Sequence, residues 1–75
     1  MDELVRFIAQ SLVDNKEAVK VESRRGDRVT IIELRVSPED MGKVIGRQGR
    51  IARAIRAVVK AASLKDGGKY SLEIL

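Results

Sequence analysis

Asp40-Met41-Gly42-Lys43-Val44-Ile45-Gly46-Arg47-Gln48-Gly49-Arg50-Ile51 stands at the centre of this 75-residue chain. Two glycines, Gly46 and Gly49, bracket two polar residues, and an apolar pair, Val44 and Ile45, precedes them. Glycine permits a tight turn and lets another backbone come within contact distance. Ser37-Pro38-Glu39-Asp40, just upstream, reads as a helix start: serine as the cap, proline at the first helical position and Asp40 three residues after the cap. The helix it opens is only about two turns long before Gly46 interrupts it. From Gly49 to Ala62 a second helix is expected, with Ile51, Ile55, Val58, Val59 and Ala62 on one side and Arg53, Arg56 and Lys60 on the other. A Gly-x-x-Gly turn between two helices would present its amides beside the positive end of the second one, where Arg47 and Arg50 add full charges. The product is a cleft suited to the phosphates of an extended strand.

Working outward, Leu4, Val5, Ile8 and Leu12 recur at helical spacing between Asp2 and Val13, and Asp14-Asn15-Lys16 ends that helix through a left-handed asparagine. Val19 and Val21 alternate with Lys20 and Glu22 as a short strand, and Arg24-Arg25-Gly26-Asp27 is a turn. Arg28 to Val36 is a longer strand whose apolar phase slips between Ile31 and Ile32, which calls for a bulge or burial on both faces. Ser63 to Lys69 reads as a loop, and Tyr70, Leu72 and Ile74 alternate as a last strand. The expected order is α-β-β-α-α-β: an α+β domain, residues 1–75, with helices packed on one face of a three-stranded sheet.

Composition narrows the function. A chain this short buries only about 60% of its unfolded surface, so one compact domain is all it can build. It has no cysteine and no histidine, which removes disulfides, the usual metal ligands and every nucleophile that needs a histidine base. Glu39 and Asp40 are read as capping residues, so no catalytic residue, metal site or cofactor is expected. Phe7 and Tyr70 are the only aromatic residues, too few for a surface that stacks several bases. No apolar run is long enough for a membrane span, and Met1-Asp2-Glu3 lacks the basic start of a signal peptide. The expectation is a cytoplasmic binding module with no membrane partner. Charge then points to its ligand. Lys43, Arg47, Arg50, Arg53, Arg56, Lys60 and Lys65 lie between Met41 and Lys65 with no acid among them. That window carries +7 in a chain of net +4, which leaves −3 for the remainder. Solvated helix faces usually mix both signs, and a one-signed face is what a polyanion selects.

Val44-Ile45-Gly46-Arg47-Gln48-Gly49 resembles the VIGxxG signature of KH domains, whose loop clamps about four nucleotides of backbone. The element order resembles the bacterial, type II arrangement, and the length resembles the small single-KH-domain RNA-binding proteins of the KhpA family. The resemblance implies single-stranded RNA binding and an RNA-chaperone role in post-transcriptional regulation, with links to cell elongation, division, cell shape and cell-wall biogenesis. It also implies a homodimer, a heterodimer with a larger KH protein of the KhpB/Jag type, or both. Carried over by position, Gly46 and Gly49 allow close approach of the strand, Arg47 and Gln48 touch phosphate or sugar, and Lys43 and Arg50 flank that contact. Val44, Ile45, Ile51 and part of the Ile32–Val36 strand line the groove for bases, although each of these aliphatics also reads as core. Ala52 departs from the pattern, since a large aliphatic commonly stands three residues after the second glycine and here it is Ile51. Arg53, Arg56 and Lys60 read as lying away from the groove. Ala54, Ala57 and Ala61, bordered by Val58, form a stripe of small residues that would let a second helix approach, and are the expected dimer interface. Two other readings fit the residues: a helix-turn-helix DNA-binding module, or a protein-interaction module in which the glycines are only a turn.

Overall fold

The structure is a computed structural model that describes residues 1–75, and its elements follow the expected order. Helix α1 spans Asp2–Leu12, strand β1 Lys20–Arg25, strand β2 Thr30–Arg35, helix α2 Met41–Ile45, helix α3 Arg50–Asp66 and strand β3 Tyr70–Ile74. The sheet runs β1-β2-β3, antiparallel between β1 and β2 and parallel between β2 and β3. A parallel pair needs a long crossover, and α2 with α3 supply it. Helices therefore cover one sheet face, and the turn with both central glycines joins the two helices that make up the crossover.

The core is aliphatic. Ile32 and Leu34 on the middle strand are fully buried and meet Val5, Ala9, Val44, Ile55, Val59 and Leu72 in one cluster. The phase slip in β2 is not a bulge. Its pairing with β1 is continuous from Lys20↔Arg35 to Arg25↔Thr30, so Ile32 and Leu34 face the helices while Ile31, opposite Arg24, is half-buried on the other face. The slip reflects apolar residues on both faces, buried under the helices on one and half-buried on the other. Strand β1 runs on to Arg25, and the turn is tightened by the Gly26 N–H donating to the Val29 carbonyl at 2.8 Å.

Three local expectations are corrected. The first is the exit from α1, which does not pass through a left-handed Asn15. Val13 takes extended backbone (φ −96°, ψ 159°) and Asn15 stays at negative φ (−91°). The second is α3, which does not stop at Ala62. It continues to Asp66 and ends at Gly67, whose left-handed backbone (φ 79°) lets its N–H donate to the Ser63 carbonyl. Ser63, expected in a loop, is buried inside that helix, and its hydroxyl donates to the Lys60 carbonyl at 2.7 Å.

The third concerns Ser37 and Asp40. Ser37 makes no side-chain cap; its hydroxyl donates to the Glu39 carboxylate at 3.3 Å, and Pro38–Asp40 form a 3₁₀ turn leading into α2. Asp40 does cap backbone, but at a distance. Its buried carboxylate accepts the N–H of Asn15 at 3.0 Å and of Asp14 at 3.4 Å, and the Lys43 ammonium donates to it at 3.3 Å. Two backbone donors of the α1–β1 connection thus find their partner in a side chain at the entry of α2.

These bonds favour the ionised acid. The Asn15 amide foremost, against the opposing push of burial, and then the Asp14 amide and Lys43 hold the Asp40 carboxyl below its ordinary 3.8. A depressed folded-state pKa contributes stability that is present above 3.8 and is lost as pH falls through the lower folded value. Urea unfolding followed from neutral pH to about pH 2.5 should show wild-type protein losing stability on the acid limb. Asp40→Asn should be the less stable at neutral pH and should converge on wild type in acid. Parallel curves would show that Asp40 contributes no proton-linked stability.

Candidate nucleic-acid interface

The link between α2 and α3 is short and backbone-driven. Gly46 has φ 76° and ψ 172°, a region that essentially only glycine enters. Gln48 (φ 57°, ψ 25°) and Gly49 (φ 74°, ψ 16°) are both left-handed, which reverses the chain in four residues. The Gly49 N–H donates to the Gly46 carbonyl at 3.1 Å and the Arg50 N–H to the Arg47 carbonyl, so these two amides close the turn instead of facing outward. Space explains Gly46 as much as φ does. A Cβ there would sit 2.6 Å from Ile51 Cγ1, so the first turn of α3 packs directly on the bare Cα at the end of α2. At Gly49 the nearest atom to an added Cβ is Arg53 Nη1, at an ordinary 3.7 Å.

The candidate residues are placed unequally. Arg47, Gln48 and Arg50 are exposed at the tip and shoulder of the turn, and no side chain caps the first turn of α3. Ile45 is exposed at its rim and Ile51 is half-buried against Gly46. Val44 is fully buried, as are Ile32 and Leu34, so the core reading holds for these three and none of them reaches the surface. Lys43 is not a free cation. Its ammonium pairs with the Asp14 carboxylate and with Asp40, and these anions, Asp14 first, raise its pKa above the ordinary lysine value. Ala54, Ala57, Val58 and Ala61 all lie exposed along α3; Val58, also read as core, is 45% exposed because the buried face is set by Ala52, Ile55, Val59 and Ser63.

What the residues alone did not reveal is a cleft of about 650 Å³ between the later turns of α3 and strand β3. Arg56, Lys60 and Lys69 line it together with Val59, Leu64 and Leu72, and no carboxylate does. Arg56 and Lys60, expected away from the groove at Gly46–Gly49, line this separate cleft, which the packing of β3 beside α3 creates. The strand contributes polar backbone as well. Thr30 N–H donates to the Lys69 carbonyl and Leu75 N–H to the Leu34 carbonyl, so Lys69 and Leu75 point towards β2. By the alternation of a parallel ladder, Tyr70, Leu72 and Ile74 turn their N–H and C=O groups to the free edge. Arg56 Nε–H reaches that edge and donates to the Leu72 carbonyl at 3.3 Å. At the far end the Tyr70 hydroxyl donates to Asp66 at 2.8 Å, a bond that, before burial, raises the phenol's pKa and holds it protonated.

The arrangement offers a sharp, exposed, basic turn and a concave strip with apolar walls and cationic rims. Comparisons with known proteins agree on what it belongs to. The family model described as KhpA/KhpB, KH domain, matches residues 2–74. The RNA-binding protein KhpA of Clostridium perfringens is 60% identical over 75 residues, and that of Caldanaerobacter subterraneus subsp. tengcongensis 59%, each match covering all of both chains. The KhpA of Aquifex aeolicus is 48% identical over all of this chain and 95% of its own. Among solved structures, Aquifex aeolicus Era bound to GDP and aluminium fluoride superposes with a TM-score of 0.66 at 22% identity, covering 97% of this chain and 28% of that one. Era in complex with MgGDPNP and nucleotides 1506–1542 of 16S ribosomal RNA gives 0.60 at 24% identity, with the same coverage. These two likenesses establish the fold. No helix is long and apolar enough to cross a membrane.

The geometry of the turn makes the two glycines unequal. Gly49→Ala should cost about 1–2 kcal/mol of left-handed strain. Gly46→Ala should cost clearly more, because it adds the collision with Ile51 to the unfavourable φ. Denaturant midpoints of the two variants check this, and equal losses would show that Ile51 simply moves aside.

Proposed function

The chain belongs to the KhpA/KhpB family of KH domains, and from that premise we propose that it binds single-stranded RNA, gripping the backbone at Gly46–Gly49 and laying bases along the α3–β3 cleft. The observation that carries this reading is the one-signed charge: Arg47, Arg50, Arg53, Arg56 and Lys60 sit on the turn and α3 with no acid from Met41 to Lys65. The relatives named RNA-binding protein KhpA support the same ligand. A helix-turn-helix reading loses its footing, since α2 has only five residues and the domain is completed by a three-stranded sheet. Arg47 and Gln48 are the residues that meet phosphate or sugar, Arg50 flanks them, and Ile45 and Ile51 give apolar surface beside them. Gly46 and Gly49 let the strand come close. Lys43 takes part only by leaving its carboxylate partners.

Without an aromatic platform the gain of about 1–3 kcal/mol per stacked base is missing, so binding is weak and tolerant. Tolerant, salt-sensitive contact with many strands suits an RNA chaperone in post-transcriptional regulation, and the family resemblance extends that role to cell elongation and cell-wall control beside a larger KhpB-type partner. The exposed stripe of Ala54, Ala57, Val58 and Ala61 supports association through α3, either with a second copy or with that partner. A pair of modules raises the effective concentration of the second clamp once the first has engaged.

Replacing Arg47 and Gln48 together with Asp sets two negative charges at the tip; aspartate tolerates the left-handed backbone at position 48, so the fold survives. Affinity for single-stranded RNA should fall about tenfold or more while the thermal transition moves little. For wild type, three or four phosphate contacts give a log–log salt slope of roughly −2 to −3, with affinity in the range of about 10⁻⁴–10⁻⁶ M. Normal RNA binding by the double variant, or tighter binding to duplex DNA than to single-stranded RNA, would reject the clamp.

Association has its own check. Sedimentation should show a dimer that Ala57→Arg or Val58→Arg weakens; a monomer at high micromolar concentration, or a dimer indifferent to both changes, counts against the α3 interface.

A further inference from the structure

Hydrogen-bonding capacity at the middle of the α3–β3 cleft is lopsided. There the free edge of β3 offers one carbonyl, that of Leu72, and Arg56 Nε–H already donates to it at 3.3 Å. What the edge still offers beside it is a donor, the Leu72 N–H. Arg56 makes no ion pair, and arginine carries five N–H donors in a planar fork. With Nε donating to the strand, the two Nη groups remain, oriented over the cleft. No carboxylate lines the cleft to compete for them. At about 650 Å³ the space admits a purine as readily as a pyrimidine, so hydrogen bonding and not size does the selecting.

A guanidinium fork matches two neighbouring acceptors, as it does with the O6 and N7 atoms of guanine. Cytosine also carries such a pair, O2 and N3. Adenine has none: N1 and N7 each lie beside the N6 amino group, and N3 lies beside a C–H. In uracil the N3–H separates O2 from O4. We propose that Arg56, pinned across the free edge of β3 by the Leu72 carbonyl, makes the cleft select cytosine and guanine over adenine and uracil, an inference that rests on the RNA-binding reading. Arg56 is thereby a specificity residue, distinct in task from Arg47 and Arg50, which meet the phosphates that every sequence shares.

The test is fluorescence anisotropy at one fixed salt concentration with four single-stranded RNA 8-mers: oligo-C, oligo-A, oligo-U and alternating UG. Oligo-C and alternating UG should bind about five- to tenfold tighter than oligo-A and oligo-U, the lower part of what one bidentate pair discriminates. Arg56→Lys keeps the charge and loses the fork. In that variant the preference should shrink to less than about twofold while the salt slope stays as in wild type, because the charge facing the phosphates is unchanged. Equal binding of all four oligomers by wild type overturns the specificity proposal and leaves RNA binding intact, and so does a preference that survives Arg56→Lys. Failure of the folded wild type to bind any of the four overturns both readings.

Discussion

The contact between Ile51 and the bare Cα of Gly46 governs the rest of the site. With a Cβ at Gly46 the first turn of α3 would have to move, since the added atom would lie 2.6 Å from the Ile51 side chain. Because α2 and α3 form the crossover that makes β2 and β3 parallel, a shift there would propagate to β3 and to the cleft it shares with α3. The basic turn and the cleft are both built on α3, the turn at its start and the cleft along its later turns. Glycine is thus required here by packing as well as by backbone angle.

Periodicity carried the fold: α1, both halves of the β1–β2 hairpin, α3 and β3 were legible from their apolar residues, while the ends of α1, β1 and α3 were not. The misses have separate causes. Asp40 looks like a local cap because its nearest helix is its own, yet its partners are the amides of Asp14 and Asn15, some 25 residues away. Spacing along the chain cannot report a bond that only the tertiary fold creates. Ser63 looks like the start of a loop because it is polar, and it is buried because its hydroxyl is satisfied inside its own helix by the Lys60 carbonyl. Val58 looks like core on a helical wheel, but the wheel does not say where the sheet sits, and the sheet lies under Ala52, Ile55 and Val59. The turn of the site was legible for the converse reason: Gly46, Arg47, Gln48 and Gly49 are contiguous. The cleft was not, since it joins residues from Arg56 to Leu72 across a helix, a loop and a strand edge.

Charge shows the same division. Counting cations finds the basic window but not which of them are available. Lys43 belongs to that window and is held by Asp14 and Asp40, a pairing that ties α2 to the end of α1. Arg56 is exposed yet committed at Nε to the β3 edge. Arg47 and Arg50, at the turn, are exposed, and neither is engaged in an ion pair. Of seven cations that look equivalent in sequence, one stabilises the fold, one is oriented by it, and those at the turn stay available to a polyanion. A salt dependence smaller than the count of cations would suggest follows directly.

Helix α3 concentrates these roles as the longest element of the chain. Its 17 residues present three faces. Ala52, Ile55, Val59 and Ser63 close the core; Arg56, Lys60 and Leu64 wall the cleft; Ala54, Ala57 and Ala61 point to solvent. At 100° per residue the alanine stripe borders the cleft wall and not the core face. On the proposed reading, a helix docked on that stripe comes alongside Arg53 and Lys60 and brings a second set of the same cations with it. Their mutual repulsion opposes association, and a bound polyanion relieves it. Association and RNA binding through this helix are then favoured together, by the same arginines and lysines that bind the strand.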